Sequence, residues 1–324
     1  MRSSITVCMS TYNGAPYLRE QLASLGSQTR LPDEVVISDD GSNDGTLELL
    51  EHWASSAPTS VLIEKRAAPL GHAANLESAL RHAGSDIVFI CDQDDRWRPE
   101  KVQRLADVLE NSPEVAGAFC NSSLIDEAGN PVTGSLWQTL RFAGAEQESL
   151  ARGGGLQVLL RRNVVAGHAL ALRREKLDLL LPFPEVAHAD WWLALGLLLD
   201  GGLIPVSEQL VDYRLHGANT VGLRSRTSVV SRIAVTRPRE RSYRDAALLV
   251  DLVRRFDSFS PSSLSDGDRA RVQAKIAHSL RRSSLSSRRV SRVVPVVREL
   301  ASGDYRRFSN GLGSALIDLV ASAR

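Results

Sequence analysis

Asp86-Ile87-Val88-Phe89-Ile90-Cys91-Asp92-Gln93-Asp94-Asp95 is a run of β-branched and aromatic residues that ends in three carboxylates. Bounded by Gly84 and Pro99, its apolar part reads as a central strand of a parallel sheet, where ligands bind beyond the carboxyl ends of the strands. Alternate residues of an extended chain point to opposite faces, so Asp92 and Asp94 turn toward one ligand and Gln93 away from it. Carboxylate oxygens suit Mg or Mn, and Mg takes one or two protein carboxylates before completing its shell with water and substrate phosphates. The cluster therefore points to a metal-bound diphosphate. The competing reading is a solvated turn in which Asp95 caps the helix that Pro99 opens.

Working outward, Ile5–Met9 reads as a first strand ended by Ser10-Thr11-Tyr12-Asn13-Gly14, and Leu18, Leu22 and Leu25 then keep helical spacing to Gln28. Glu34–Ser38 is a second strand, and the loop Asp39-Asp40-Gly41-Ser42-Asn43-Asp44-Gly45 leads into a helix over Thr46–Trp53. Ser60–Lys65 reads as a strand, Asn75–His82 as a helix and Ile87–Cys91 as the fourth strand. Strands alternating with helices imply right-handed parallel βαβ units, with every polar loop named so far on one edge of the sheet. Further on, Lys101–Leu109 reads as a helix, Gly117–Asn121 as a strand and residues 130–155 as an irregular loop. Strands at Gly167–Leu172 and Gly202–Pro205 flank a helix over Ala189–Leu199, and from Arg241 onward apolar residues recur at helical spacing.

With 324 residues, 43% hydrophobic and 24% charged, the chain has the composition of an ordinary soluble globular protein. Cys8, Cys91 and Cys120 lie in apolar runs with neither disulfide-framework nor zinc-type spacing, so a reducing compartment is expected. No secretory signal and no apolar window long enough to span a bilayer is evident, and a cytoplasmic location is expected. The formal net charge of +1 conceals a division: residues 225–324 carry 20 Lys and Arg against 9 Asp and Glu, a net of +11, which leaves −10 for residues 1–224. The basic part suits an anionic surface such as the inner face of a membrane, or it is a set of solvated arginine-rich helices packed on the acidic part.

Four segments, in this order, resemble family 2 inverting glycosyltransferases of the GT-A fold, in particular their rhamnosyltransferase-like members. They are Ser10-Thr11-Tyr12-Asn13-Gly14, then Asp39-Asp40-Gly41-Ser42, then Asp92-Gln93-Asp94-Asp95, and last Asp190-Trp191-Trp192-Leu193 followed by Tyr213-Arg214-Leu215-His216-Gly217. The resemblance implies an α/β fold with a central mostly parallel sheet over residues 1–224, followed by a basic helical C-terminal extension over residues 225–324. It also implies donor-binding residues Thr11, Tyr12, Asn13, Asp39, Asp40, Gly71, Asn75, Asp92 and Gln93, and a Mg or Mn ion held by Asp92, Asp94 and His216. An acceptor-only carboxylate can read the imide N–H of uracil or thymine, and an aromatic ring can cover the base. A lone surface-loop histidine is the other reading of His216.

By the same resemblance Asp190 is the general base for inversion, with Trp191 and Trp192 on the acceptor sugar. A helix cap is the alternative for Asp190, core packing is the alternative for the tryptophans, and Arg214 is a candidate for phosphate. The implied reaction moves a sugar, rhamnose among the candidates, from a dTDP- or UDP-sugar to a glycan or lipid-linked acceptor in cell-surface polysaccharide assembly, with the basic helices at the membrane and no nucleic acid involved. Two other classes stay open. A sugar nucleotidyltransferase normally has a basic Gly-rich loop, and residues 10–16 contain no Lys or Arg. A non-catalytic nucleotide- or polyanion-binding protein would have no use for Asp190 beside Asp92 and Asp94.

Overall fold

The computed structural model describes residues 2–186, 188–217, 238–259 and 264–321. The chain divides into two compact units: Met1–Gly155, Val164–Phe183 and His188–Asn219 form the first, and Leu156–Asn163, Pro184–Ala187 and Thr220–Arg324 the second. The boundary expected between residues 224 and 225 lies outside the described residues.

The first unit opens as its alternating pattern predicts, with β1 (Ile5–Thr11), α1 (Ala15–Gly26), β2 (Glu34–Asp39), α2 (Thr46–Ala54), β3 (Ser60–Lys65), α3 (His72–Arg81) and β4 (Ile87–Asp92). After β4 come β5 (Arg96–Trp97), α4 (Lys101–Asn111) and β6 (Gly117–Ile125). Residues 130–155 are not an irregular loop: they hold β7 (Pro131–Ser135), α5 (Leu136–Leu140) and α6 (Gly144–Ala151). Ser135 and Gln138 close a capping box at the start of α5, giving that helix a start that its short length alone would not supply. The second unit takes α7 (Leu156–Arg161). Next come β8 (Leu170–Arg173), α8 (Leu177–Leu180), α9 (Ala189–Leu199) and β9 (Leu203–Arg214), all in the first unit. The strand expected at Gly167 starts only at Leu170, because Gly167–Ala169 forms a 3-10 turn. The strand expected over Gly202–Pro205 runs nine residues further, to Arg214, through two register shifts against β6.

The nine-stranded sheet has the order β3-β2-β1-β4-β8-β6-β9-β5, with β7 paired to β6. Neighbours β3-β2-β1-β4 are parallel, β6 and β9 are parallel to each other, and β8 runs antiparallel between β4 and β6. Ile5, Val7, Met9, Val35, Ile37, Ile87 and Phe89 are fully buried and pack with Leu18, Leu22 and Leu25 of α1 in one continuous core, as strands covered on both faces require. The three cysteines are free and buried in these strands. In this register Thr11 pairs with Asp39 and Ser10 with Asp92, so β1, β2 and β4 end level with one another. An antiparallel β8 has its N-terminal end at that edge, which brings His168 to it, and β9 delivers Tyr213–His216 there from the parallel direction.

The second unit also contains α10 (Pro238–Phe259), α11 (Asp266–Ser283), α12 (Val293–Ala301), α13 (Asp304–Phe308) and α14 (Leu312–Val320). Its apolar core includes Leu285, Val296, Tyr305 and Ala315. None of the described helices is long and apolar enough to cross a membrane.

Candidate functional site

At the exits of β1 and β2 most polar groups bond to the neighbouring loops. Asp39 is fully buried: its Oδ1 accepts from Gly41 N (3.2 Å) and Ser42 N (2.8 Å), and its Oδ2 from Thr11 Oγ1 and Ser42 Oγ (both 2.7 Å). Four bonds fill a carboxylate's lone-pair sites. Among the described residues Asp40 accepts two, from Leu70 N (2.7 Å) and Gly71 N (2.8 Å), and thereby pins the turn before α3, where Gly71 adopts φ +91°. Asn13, at φ 47°, accepts from Asn43 N through its side chain at 3.0 Å. Asn75 donates to Thr11 O (3.0 Å), while its buried Oδ1 has no partner among the described residues. Tyr12 stands 49% exposed beside them. Gln93, expected to bind donor, uses its amide on the Tyr12 backbone, accepting from N (2.9 Å) and donating to O (3.1 Å). Gly14 makes room for that clamp, since a Cβ there would lie 2.2 Å from Gln93 Oε1.

Beyond β4, Asp94 Oδ2 and His216 Nε2 meet at 2.8 Å across 122 residues of sequence. His216 also packs against the Tyr17 ring, with centroids 4.8 Å apart. Burial and the neighbouring Asp92 carboxylate raise the Asp94 carboxyl above its ordinary range. Burial works against ionised Asp92 as well, but His168, His72 and Lys101 together outweigh it and hold the carboxyl low. His168, which no sequence motif marks, is 2% exposed: Nε2 lies 3.0 Å from Ser122 Oγ, Nδ1 lies 3.7 Å from Asp92 and 3.4 Å from Asp95, and the ring stacks on Tyr213. Burial opposes its protonation, yet Asp95 and Asp92 together raise its pKa.

Asp95 does not cap a helix. It is fully buried, its Oδ1 accepts from Arg214 N at 3.1 Å, and burial pushes its pKa up to about 7. Arg214 is also buried, and its guanidinium donates to Asp94 O, Glu127 O and Glu20, so it fastens β9 to the β4 exit rather than facing a phosphate. Below them Lys101, fully buried, donates to His168 O (2.6 Å) over the Trp97 ring, with its pKa lowered to about 8 by burial.

These residues suit a divalent cation. Two carboxylates near enough to perturb each other call for positive charge between them, and Asp95 Oδ2, 3.4 Å from His168 Nδ1, is a buried oxygen without a hydrogen bond among the described residues. The 2.8 Å between Asp94 and His216 matches the ~3 Å edge of an octahedron with ligands at about 2.1 Å. Among the described residues, two groups bring three ligand atoms within 4.8 Å of one another: Asp92, Asp95 and His168, a set that leaves out Asp94 and His216, and His278, Glu299 and Asp304, which already contains a cation because Arg281 pairs with both carboxylates.

Asp190 begins α9 half-buried, with Oδ1 accepting from Trp191 N at 2.8 Å. Its Cβ lies 3.9 Å from the position a Cβ on Gly167 would take, which sets it beside the turn that carries His168. Burial raises its carboxyl above the ordinary aspartate range, against the opposing pull of the Trp191 N–H and His188, and Asp92 adds to the rise. His72, at the start of α3, also lowers both Asp190 and Asp92, and no sequence motif marks it either. The tryptophans expected to line an acceptor are core residues as placed. Trp192 is fully buried with Nε1 donating to Leu180 O (2.8 Å), and Trp191 is 6% exposed, because α9 is apolar on every side.

The model of the Glycosyl transferase family 2 matches residues 6–177, more than half of the 324-residue chain. An uncharacterized glycosyltransferase of Nostoc sp. is 30% identical over 223 residues, 66% of this chain and 66% of its own, so the chain spans just under two thirds of that relative's length. The dTDP-rhamnosyl transferase RfbG of Shigella flexneri is 32% identical over 105 residues, 31% of this chain and 36% of its own. Among solved structures, the mannosyltransferase PcManGT from Pyrobaculum calidifontis, in complex with GDP-Man and Mn2+, superposes with a TM-score of 0.58 at 20% identity, covering 99% of this chain and 87% of that one. That likeness shows the GT-A fold.

Proposed function

The chain belongs to glycosyl transferase family 2, and from that premise we propose that it transfers a sugar, with inversion, from a nucleoside diphosphate to a hydroxyl of a glycan or lipid-linked acceptor. The observation that carries the reading is the meeting of Asp94 and His216 at 2.8 Å beside Asp92, on the edge where Asp190 also lies.

In this reading the base of the donor lies against Tyr12, and Asp40 is its acceptor. Asp39 has no lone-pair site left, whereas Asp40 keeps two of about four. Thr11, Asn13 and Gln93 shape the loop that presents Tyr12, and Gly71 and Asn75 line the turn beside it. Asp92, Asp94 and His216 would hold a divalent cation, and an imidazole in the set favours Mn over Mg, which keeps to oxygen ligands. When bound, the cation supplies positive charge against the departing diphosphate. Asp190 takes the proton of the attacking hydroxyl, and its half-buried setting keeps the carboxylate basic. His168 and Asp95 lie in the layer beneath and hold Asp92 in place.

The donor is read as a dTDP- or UDP-sugar, with dTDP first because the Shigella flexneri relative is a dTDP-rhamnosyl transferase. The product belongs to cell-surface polysaccharide assembly, worked from the cytoplasmic side of the membrane. Calorimetry of dTDP, UDP and GDP on the purified protein, each with and without Mn, tests the reading. Mn-dependent binding of dTDP or UDP is expected, and absence of binding by all three nucleotides would overturn it.

A further inference from the structure

The last helices of the second unit carry an apolar face that nothing among the described residues covers. On α12 and the turn before it, Val290 is 85%, Val294 75% and Val297 55% exposed, while Val296 is buried. Val293, Val294, Val297 and Ala301 share one side of the helix by their spacing, and they border a shallow groove together with Arg298. On α14, Leu312, Leu316 and Val320 repeat at intervals of four and form a second exposed stripe. The inner sides of the two helices meet in the same core, through Val296 and Ala315.

The charges around these stripes are one-sided. Between residues 285 and 321 the carboxylates are Glu299, Asp304 and Asp318, and each is turned inward to a partner. Glu299 pairs with His278 and Arg281, Asp304 with Arg281 at 3.1 Å, and Asp318 with Arg282 at 2.6 Å and the Tyr305 hydroxyl at 2.7 Å. In the same stretch Arg288, Arg289, Arg298, Arg306 and Arg307 are exposed, and none pairs with a carboxylate among the described residues. Only Arg292 is buried, where it donates to the carbonyls of Asp318 and Ala321.

We propose that this face docks on the surface of an anionic bilayer, with the valine and leucine stripes entering the headgroup boundary and the arginines meeting the lipid phosphates. Exposed aliphatic stripes with unpaired arginines beside them match the pattern of a protein lying on a membrane. A polyanion alone would leave the valines in water. A second copy of the chain would set these arginines against their own kind. The inference goes beyond the transfer reaction and does not depend on it, since no residue assigned to donor or cation takes part.

The test is flotation of the full-length protein with neutral phosphatidylcholine vesicles and with vesicles containing about one third phosphatidylglycerol. Binding to the anionic vesicles alone is expected, weakening at least tenfold in roughly 0.5 M salt as the charges are screened. The exposed pair Val294→Glu/Val297→Glu lowers partitioning at least tenfold with the melting temperature unchanged, and Arg288→Gln/Arg289→Gln lowers it by about fivefold per arginine. Failure of the wild type to float with anionic vesicles would overturn the proposal, as would equal flotation of the valine pair. So would a dimer that the valine pair dissociates, without any vesicle binding, which would place a second copy on this face.

Discussion

A half-buried carboxylate at the start of a helix gains from the helix dipole when ionised, but Asp190 loses more to desolvation, and its raised pKa is the net result. A base works in its ionised form, so turnover should fall as pH drops through that raised value. The acid limb of the wild-type pH–rate profile is expected above the ~3.9 of a free aspartate. Asp190→Asn keeps shape and removes the base: turnover is expected to fall about a hundredfold or more while nucleotide affinity is unchanged. Retained turnover would move the base to another residue. Asp94 acts at an earlier step. Asp94→Ala removes one of two groups meeting at 2.8 Å, and calorimetry is expected to show nucleotide binding that no longer responds to Mn. Unchanged Mn dependence would take Asp94 out of the ligand set.

At the scale of elements, the β1–α1 loop depends on what its glycine leaves out. In Gly14→Ala the new methyl would meet Gln93 Oε1, so the clamp on the Tyr12 backbone must open. A cost of about 1–3 kcal/mol in urea unfolding is expected, with nucleotide affinity lowered about tenfold as Tyr12 loses its position. Restored affinity in Gly14→Ala/Gln93→Gly, where the obstructing side chain is absent, would separate crowding from loss of the clamp. The same elements show what sequence can and cannot disclose. β1 to β4 are legible because strands buried on both faces must be continuous apolar runs, and their polar exits follow from parallel winding. Asp92, Asp94 and His216 are legible through the order of their segments, but the contact of Asp94 with His216 is not, because β9, which carries His216 to this edge, runs through two register shifts against β6. His168 was invisible: its place comes from the reversed direction of β8, and antiparallel insertion leaves no local mark. β5 has two residues, too short for any periodicity, and α5 depends on a capping box rather than an apolar face. For Trp191 and Trp192 the structure takes the core alternative, because α9 is apolar on every side and buries both rings.

Across the whole molecule, the acidic and basic parts bury charge by different means. The first unit carries every residue assigned to donor, cation and base, and its buried carboxylates crowd one edge of the sheet, where a cation would balance them. The second unit balances its own: Arg282 pairs with Asp318 through two nitrogens at 2.6 and 3.0 Å, Tyr305 donates to the same carboxylate, and His278 lies between Glu299 and Ser309. Removing one partner of a buried ion pair leaves the other uncompensated, so Arg282→Ala should cost the second unit about 3–5 kcal/mol, read as an earlier denaturation midpoint. Arg282→Met/Asp318→Leu removes both charges and should recover most of that loss, because two apolar side chains leave no stranded carboxylate. Mn-dependent nucleotide affinity should be the same in both variants, since no donor or cation residue lies in that unit. Loss of nucleotide binding in the single variant together with its recovery in the double one would show instead that folding of the second unit sustains the donor site, and would make the arginine network part of the catalytic apparatus.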